Sequence, residues 1–477
     1  MVLRIMMYIV LVGLAIGVRY ADLDQPLSDV HHVRQSDTAS IARNMVRQGI
    51  DLWHPRIDWV GPQPQTVESE LPLYNALVAL VWSPEQLNTP QAYRNARLIN
   101  IGLWFCLVWV VAVFSHRRLP QGTPLVVCFM LFSPLGVVFS RTVQPDVLAV
   151  LLMMLSYERL DAALMMGTRR RLWVLTAAIC LALGMAIKGT IVFFLVGLYL
   201  LPWSSCDRKD IIWSTACLVG VCLWTAMWYY YAYAYLGASG ASFNIWGRGD
   251  EKWGGLAQWL APQVWTKNVE VVLFCLLSPI GAFMMMGAFL GEGDKSFYPI
   301  WGGILGGVIA VVCVTEGFFH HEYYWLPMVP FASMVVAKGG VEIQRRVLRR
   351  YRFIAVLVTG GLVYSLQMGK AYVHDARTRD VRVEQIGVFI EQTVSANEAI
   401  VIVDRHPQSL MYHADRRGWC RSFIEEAELK AFLTDGATHI GVFSPVQEVR
   451  RSSWMTWLNQ EKFEVYEHKH GYIIEIR

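Results

Sequence analysis

Long apolar stretches separated by short polar segments fill residues 1–369, whereas residues 370–477 mix polar and apolar positions. A membrane-spanning helix needs about 17–25 mostly apolar residues. The pattern therefore predicts single crossings near 5–20, 96–114, 211–236, 268–290, 298–316, 323–337 and 353–369. We interpret the first of these as a retained span, because Arg19-Tyr20-Ala21-Asp22 is a poor site for signal-peptide cleavage.

Two further apolar stretches, 122–158 and 172–202, each contain a polar interruption. The interruption runs from Ser140 to Asp146 in the first stretch and consists of Lys188-Gly189 in the second. We expect both stretches to be helical hairpins, although their arms are short for full spans. With two crossings from each hairpin, the sequence predicts a polytopic α-helical membrane protein with about eleven transmembrane helices.

The basic residues predict the orientation, since loops rich in Lys and Arg stay in the cytoplasm. The basic markers are Arg4, Arg117-Arg118, Arg169-Arg170-Arg171, Arg208-Lys209, Lys295 and the run 345–352. If all are cytoplasmic, the N-terminus is cytoplasmic, the first loop (21–95) is outside, and so is the tail (370–477). We expect a transmembrane domain over 1–369 and a soluble extracytoplasmic domain over 370–477. Since the sequence lacks an Asn-x-Ser/Thr sequon, we favour a bacterial inner membrane.

Composition agrees with this division. The chain is 55% hydrophobic and 17% charged, with a mean hydropathy of +0.35, which is too apolar for a soluble enzyme of 477 residues. The tail alone holds 14 Lys and Arg and 16 Asp and Glu. The net charge of +4 gives no indication of a nucleic-acid partner. Nine cysteines lie singly, without a CxxC or a metal-ligand spacing, which argues against a disulfide framework.

The tail has the pattern of a small α/β domain. Its apolar periodicity predicts helices at 386–394 and 425–433, strands at 399–403 and 439–443, and a closing hairpin around Phe463 and Tyr472. No catalytic motif is evident in it. Acceptor recognition or docking is one interpretation, and a structural cap over the membrane face is another.

The first loop is dense in polar groups next to a membrane, and Asp37 has two interpretations. A helix is expected to begin at Ser36 or Asp37 and to lie along the interface. In the first interpretation the Asp37 carboxylate caps that helix. In the second it is a general base that takes the proton of an acceptor hydroxyl. Glu70 is either an ordinary surface acid or a second carboxylate that orients the acceptor.

Two basic residues lie at the predicted hairpin apices. Lys188 has long apolar flanks, and because burying an ammonium in a membrane is costly, it is a functional candidate. Its compact charge suits a phosphate. The alternative is that it extends to the outer headgroups, and for Arg141 we favour that alternative.

The last outer turn places His320, His321, Tyr323 and Tyr324 close together in sequence. Together with His31 and His32 they could be considered metal ligands, but no HxH or HExxH spacing occurs among these histidines. We therefore predict no metal and favour donors to a phosphate or a sugar. Tyr and Trp at this depth are also typical of an interfacial aromatic belt.

These segments, in this order, resemble a known family along nearly the whole chain. The matching segments are His32-x-Arg34-Gln35-x-Asp37-Thr38-Ala39-x-Ile41-Ala42-Arg43-Asn44, Pro55-Arg56-Ile57-Asp58-Trp59, Glu70-x-Pro72-Leu73-Tyr74, Lys188-Gly189 and His321-x-Tyr323-Tyr324-x-x-Pro327. They are similar to the bacterial polytopic glycosyltransferases of the GT-C class, which are related to protein O-mannosyltransferases and to aminoarabinose lipid A transferases.

The resemblance implies a GT-C fold and the transfer of a sugar from a polyprenyl-phosphate carrier on the outer face, with inversion at the anomeric carbon. It implies that Asp37 occupies the family's catalytic acidic position in the first loop and that Glu70 is its second loop carboxylate. The predicted binding residues for donor and acceptor are His32, Arg34, Arg43, Arg141, Lys188, His320, His321 and Tyr324. No cofactor is expected.

Two other functions use the same features. A non-enzymatic carrier of lipid-linked glycans would want paired halves and polar groups near the midplane, but no internal repeat is found and the polar residues crowd the outer loops. A glycan polymerase or ligase on the outer face would attach a whole oligosaccharide. Every version of the main hypothesis requires Asp37 and Lys188 to lie on one side of the bilayer.

Overall fold

The structure is a computed structural model of the chain. It describes residues 2–166, 170–205, 208–243, 252–291, 294–348, 353–443 and 463–476.

The described residues are mainly helical. In chain order the α-helices are α1 (Val2–Tyr20), α2 (His32–Gln48), α3 (Leu73–Ala79), α4 (Pro90–Arg118), α5 (Thr123–Phe132), α6 (Pro134–Phe139), α7 (Asp146–Met166), α8 (Arg170–Ile187), α9 (Leu195–Ser205), α10 (Arg208–Ala234), α11 (Leu256–Trp259), α12 (Pro262–Glu270), α13 (Ser278–Gly287), α14 (Tyr298–Cys313), α15 (Thr315–His320), α16 (Val329–Ile343), α17 (Phe353–Ala376), α18 (Val381–Thr393), α19 (Pro407–Ala414) and α20 (Glu426–Thr434).

Shorter helical turns and strands complete the described chain. The 3₁₀ segments are Pro84–Gln86, Gly189–Phe194, Leu236–Ser239, Ala288–Leu290, Lys295–Phe297 and Glu322–Met328, and the π segments are Val271–Leu276 and Gln344–Leu348. The strands are β1 (Arg56–Ile57), β2 (Val60–Gly61), β3 (Gln65–Thr66), β4 (Ala399–Val403), β5 (Arg417–Arg421), β6 (Ala437–Val442), β7 (Phe463–His468) and β8 (Gly471–Ile476).

The chain forms two compact units, each assembled from separated segments. Unit 1 comprises 1–21, 98–230 and 246–377, and unit 2 comprises 22–97, 231–245 and 378–477. The first loop thus shares a unit with the tail rather than with the helices that precede and follow it in sequence. The loop and the tail are joined by strand pairing, because β2 in the loop pairs antiparallel with β5 in the tail. The predicted domain boundary at 369/370 divides the sequence at a single point, and it stays a prediction.

Three helical segments among the described residues are long and apolar enough to cross a membrane, namely Pro90–Arg118, Lys295–Cys313 and Glu322–Arg346. The pair Pro262–Leu276 and Ser278–Leu290 meets the same criterion only together, across a 92° bend. These segments coincide with the crossings predicted near 96–114, 298–316, 323–337 and 268–290. The total of eleven crossings stays a prediction.

Both predicted polar interruptions are present in unit 1. α6 ends at Phe139 and α7 begins at Asp146, and Lys188 separates α8 from the next 3₁₀ segment with an extended backbone (φ −148°). α7 and α8 are joined by a short connection and pack along each other. Because neighbours joined in this way run antiparallel, the end of α8 lies beside the start of α7.

Glycines allow α9 and α14 to approach closely in unit 1. A Cβ added to Gly302 would lie 2.6 Å from the Cα of Gly197, and one added to Gly197 would lie 2.5 Å from the Pro299 carbonyl oxygen. Such contacts exclude any larger side chain. Helices in membranes associate through small residues of this kind, because apolar bulk alone gains nothing over lipid.

A six-stranded sheet organises unit 2, in the order β2-β5-β4-β6-β8-β7. β4 is parallel to both β5 and β6, and the other pairs are antiparallel. All five residues of β4 are buried, as expected for a central strand covered on both faces. Val401 and Val403 face a core that includes Trp419 and Leu429, and Ile400 and Ile402 face a second core.

Most tail elements match the sequence predictions to within a few residues. The exceptions are α19 and β5, which the sequence analysis did not identify. β5 begins and ends with an arginine, so its apolar centre is only Trp419-Cys420, which is too short to stand out. The first-loop helix is α2, which is buried from Gln35 to Met45 within unit 2, and its expected position along the membrane interface stays a prediction.

A buried ionic network fixes α2 in unit 2. Asp58, which is 2% exposed, accepts hydrogen bonds from Ser40, Arg43 and Asn44 at 2.8–3.0 Å. The Arg43 guanidinium also lies 3.0 Å from Asp415. Two carboxylates therefore compensate an arginine that has no access to water.

We predict that Asp58→Ala lowers the free energy of unfolding by about 3–5 kcal/mol, because it leaves the buried guanidinium undercompensated. Thermal or denaturant unfolding of the purified protein in detergent measures this loss. Asp24→Ala is the matched control, since it removes an ion pair that is exposed. The Asp24 side chain is 44% exposed and that of Arg94 is 42% exposed. Equal stability of the two variants would contradict the assignment.

Candidate functional site

Asp37 lies inside α2 rather than at its start. The helix begins at His32, and His31 occupies the N-cap with a left-handed backbone (φ 51°). Only the first-turn N–H groups of a helix lack intrahelical partners. The capping interpretation of Asp37 is therefore wrong, because the carboxylate is in the second turn.

The Asp37 carboxyl is buried beside an indole. It is 8% exposed, and its Oδ1 accepts a hydrogen bond from Trp59 Nε1 at 3.0 Å. Burial raises the pKa of Asp37 from 3.8 to about 7. The charge of Arg34 and the Trp59 hydrogen bond lower this pKa, and the charge of Glu70 raises it further. A carboxyl with this pKa exchanges a proton readily near neutral pH.

Glu70 is paired with Arg34 in the same unit. Arg34 Nη2 lies 2.8 Å from each oxygen of the Glu70 carboxylate, and both side chains are partly buried. The guanidinium also lies 5.3 Å from the centre of the Phe243 ring. The ion pair holds the Glu70 carboxylate in one orientation. Asp37, Trp59, Arg34 and Glu70 form what we call the acidic cluster.

Two of the predicted binding residues, His32 and Arg43, have side chains that bind other residues of unit 2. His32 Nδ1 lies 2.8 Å from Ser409 Oγ, and burial followed by the neighbouring His406 lowers the pKa of His32 to about 4. Arg43 is fully buried in the network with Asp58 and also donates to the Tyr412 carbonyl. We leave both out of the candidate site.

Lys188 is the centre of a second group, in unit 1. Its Nζ lies 2.9 Å from Asp146 Oδ1, with the two side chains 7% and 4% exposed. The ammonium also lies 4.6 Å and 4.4 Å from the ring centres of Tyr323 and Tyr324. The lysine therefore turns into the protein rather than extending outward. His321 stacks on both tyrosines, with ring centres 5.1 Å and 6.0 Å away. These five residues form the lysine cluster.

His320 and Arg141 lie outside both clusters. The His320 side chain is 61% exposed, and its Nε2 lies 3.3 Å from Glu316. Arg141 is 3% exposed and donates to the Ala21 carbonyl at 2.7 Å. Arg141 therefore does not extend to the headgroups. In the part of the chain that the structure describes, no group of three or more His, Cys, Asp or Glu is placed to hold a metal ion.

Two residues of these clusters were not predicted as site residues. The sequence places Trp59 only within a motif and Asp146 only within the polar interruption. Asp146 could have been found by the argument used for Lys188, because it too is an ionisable group between long apolar stretches. Nothing in the sequence indicates that Trp59 donates to Asp37.

Solved structures match the chain over nearly its full length. ArnT from Cupriavidus metallidurans in the apo state matches with a TM-score of 0.64 at 12% identity, over 98% of this chain and 97% of that one. The same protein bound to undecaprenyl phosphate gives 0.65 and 13% over the same shares. Both ArnT and the oligosaccharyltransferase described next are GT-C glycosyltransferases. The chain has the GT-C fold.

The GT-C fold also relates the chain to an archaeal protein. The oligosaccharyltransferase AglB from Archaeoglobus fulgidus, in complex with an inhibitory peptide and a dolichol-phosphate, matches with a TM-score of 0.61 at 10% identity, over 98% of this chain and 74% of that one. No protein-family model and no curated protein matches the chain in sequence. The predicted resemblance to the GT-C class is confirmed by the fold.

The raised pKa of Asp37 predicts a pH-dependent stability. Between the unfolded pKa of about 4 and the folded pKa of about 7, the folded chain holds one more proton than the unfolded chain, so stability falls as pH rises through this range. Asp37→Asn removes the ionisable group. We expect the variant to melt at a higher temperature than the unsubstituted protein at pH 8, with a smaller difference at pH 5.

Asp51→Asn is the control for this measurement. Asp51 is exposed, and hydrogen bonds to His54 and to backbone N–H groups lower its pKa. Its removal should give no gain at pH 8. A melting difference for Asp37→Asn that is the same at both pH values would show that Asp37 does not titrate with a raised pKa.

Proposed function

We propose that the chain is a membrane glycosyltransferase that takes a sugar from a polyprenyl-phosphate donor and transfers it to an acceptor on the extracytoplasmic face, with inversion at the anomeric carbon. The observation that carries the proposal is the full-length match to ArnT bound to undecaprenyl phosphate. The two clusters supply chemistry that such a transfer needs. The acceptor is a glycolipid, a glycan or a protein.

Asp37 is the proposed general base. A base is most effective when its pKa lies near the working pH, and burial brings Asp37 there. In the transfer, the acceptor oxygen bonds to the anomeric carbon and its proton passes to Asp37. If the acceptor nucleophile is already an anion, Asp37 orients it instead. Glu70, fixed by Arg34, is the proposed second carboxylate that positions the acceptor.

Lys188 is the proposed ligand of the donor phosphate, with His321 and Tyr324 beside it. As the sugar leaves, the phosphate oxygen keeps the electron pair of the broken bond, and negative charge develops there. A preorganised ammonium in a buried setting stabilises such charge strongly. The aromatic rings around Lys188 keep it in one position.

The proposed location is a bacterial inner membrane crossed eleven times, with a cytoplasmic N-terminus and an extracytoplasmic tail. Unit 2 supports this orientation. Its segments 22–97, 231–245 and 378–477 are those that the basic residues place outside, apart from a few residues at the ends of predicted crossings. A compact unit with a continuous sheet cannot draw its segments from opposite sides of a bilayer.

Purified protein in detergent or in lipid nanodiscs, given a radiolabelled polyprenyl-phosphate sugar together with cell-envelope glycolipids, glycans and proteins as acceptors, tests the reaction. A transferase consumes the donor and releases polyprenyl phosphate without a gradient. A glycan transporter would leave the donor intact. A polymerase or ligase would instead require a polyprenyl-pyrophosphate oligosaccharide, which is supplied in a parallel reaction.

We predict that Asp37→Asn lowers the transfer rate by about 10²–10⁴-fold, because the amide cannot take the acceptor proton. Folding and donor binding should stay intact, and they are measured by melting temperature and by binding of the labelled donor. Ser40→Ala on the same helix serves as a control for local packing. Near-normal turnover of Asp37→Asn would exclude Asp37 as the base.

We predict that Lys188→Met weakens the binding of undecaprenyl phosphate about tenfold or more, because it removes a charge-assisted hydrogen bond. Acceptor binding should change less. Titration of the labelled lipid into nanodiscs measures the affinity, with undecaprenol as the uncharged control. An unchanged affinity for the phosphate would mean that Lys188 is not its ligand.

A further inference from the structure

Lys188 is already neutralised before any phosphate arrives. Its Nζ lies 2.9 Å from Asp146 Oδ1 in surroundings that almost exclude water. Asp146 begins α7, whereas Lys188 follows the end of α8. Two breaks in apolar helices therefore bring one acid and one base together. A phosphate that binds Lys188 must do so against this carboxylate.

Asp146 has capacity for a further contact. Its Oδ2 is buried and lacks a hydrogen-bond partner among the described residues. A buried carboxylate normally uses both oxygens, since an unsatisfied acceptor costs about 1–3 kcal/mol. An ion pair built only for stability would be expected to satisfy both oxygens. The observed pair is held through one oxygen of Asp146, so it can open at the loss of a single Asp146 contact.

The proposed reaction changes the charge that Lys188 meets. The donor is a phosphodiester with a single negative charge. When the bond between the anomeric carbon and the phosphate oxygen breaks, the oxygen keeps the electron pair, and the product is a monoester of about −1.5 to −2 at pH 7. Lys188 therefore attracts the product more strongly than the donor. A catalyst with a lone lysine would retain its product.

We infer that Asp146 is the counter-ion that Lys188 exchanges for the lipid phosphate and takes back when the product leaves. The inference rests on the proposed function, since it requires Lys188 to bind phosphate. Asp146 is then a positioning residue that acts through Lys188. The rings of Tyr323 and Tyr324 contact the Lys188 ammonium and hold it in position while the phosphate replaces the Asp146 carboxylate.

Asp146→Asn tests the exchange, because asparagine keeps the size of the side chain and removes its charge. We expect undecaprenyl phosphate to bind about tenfold more tightly to the variant, since the competing carboxylate is gone. The KM for the donor and kcat should both fall, and inhibition by undecaprenyl phosphate should strengthen. The ligand-free variant should melt at a lower temperature, and undecaprenyl phosphate should raise that temperature by more than in the unsubstituted protein.

Two further variants separate exchange from structural support. Asp146→Glu keeps the charge and should restore kcat and product affinity towards the original values. Asp161→Asn removes another buried acid of α7, which pairs with Arg117 and Arg118, and it should leave the affinity for undecaprenyl phosphate unchanged. If Asp146→Asn weakens lipid binding, or only lowers the melting temperature, the exchange is excluded.

Lys188→Met distinguishes failure of the inference from failure of the proposed function. If Lys188→Met leaves the affinity for undecaprenyl phosphate unchanged, the proposed phosphate site is wrong. If it weakens the affinity while Asp146→Asn does not strengthen it, only the exchange is wrong. In the double variant, Asp146→Asn should add nothing to the effect of Lys188→Met, because the carboxylate acts only through the lysine.

Discussion

Burial of charge away from water is the constraint on which both units depend. A charged side chain taken out of water needs an opposite charge and hydrogen bonds, or its pKa shifts until it becomes neutral. Arg43 is compensated by Asp58 and Asp415, and Lys188 by Asp146. Asp37 illustrates the other solution. Arg34 lies nearby but is itself held by Glu70, so burial prevails and raises the pKa of Asp37 to about 7.

This contrast separates residues that support the fold from candidates for chemistry. Arg43 and Asp37 lie on the same helix, carry opposite charges and are both buried. The arginine is bound by carboxylates from two other segments of unit 2, whereas the carboxyl accepts a hydrogen bond from a neutral indole. In the sequence, both are simply charged residues of the first loop. Only their partners distinguish them.

Much of the fold could be predicted from the sequence because hydrophobic length and periodicity are local properties. The helix break at Lys188, the strand at 399–403 and the closing hairpin could all be predicted in this way. The start of α2 was not, since Ser36 and Asp37 are strong capping residues and His31, in a left-handed conformation, is not. Local preference suggested a later start than the packing of the buried helix allows.

The partners in the candidate site were not predictable, because they join residues that are distant in sequence. Asp146 and Lys188 meet only through the packing of α7 on α8, and Trp59 reaches Asp37 only because the loop folds back on α2. A pattern along one chain records which residues are unusual. It does not record which unusual residues meet.

The strand β2 has a consequence for how such a protein can change over evolution. It completes the edge of a sheet whose other strands come from the tail, and α2 packs on α19 of the same tail. The polypeptide that carries Asp37 therefore shares one hydrophobic interior with the C-terminal segment. A lineage could not graft on a foreign tail, or shed its own, without redesigning the loop that bears the proposed base. New substrates are more readily gained by point substitutions than by recombination of modules.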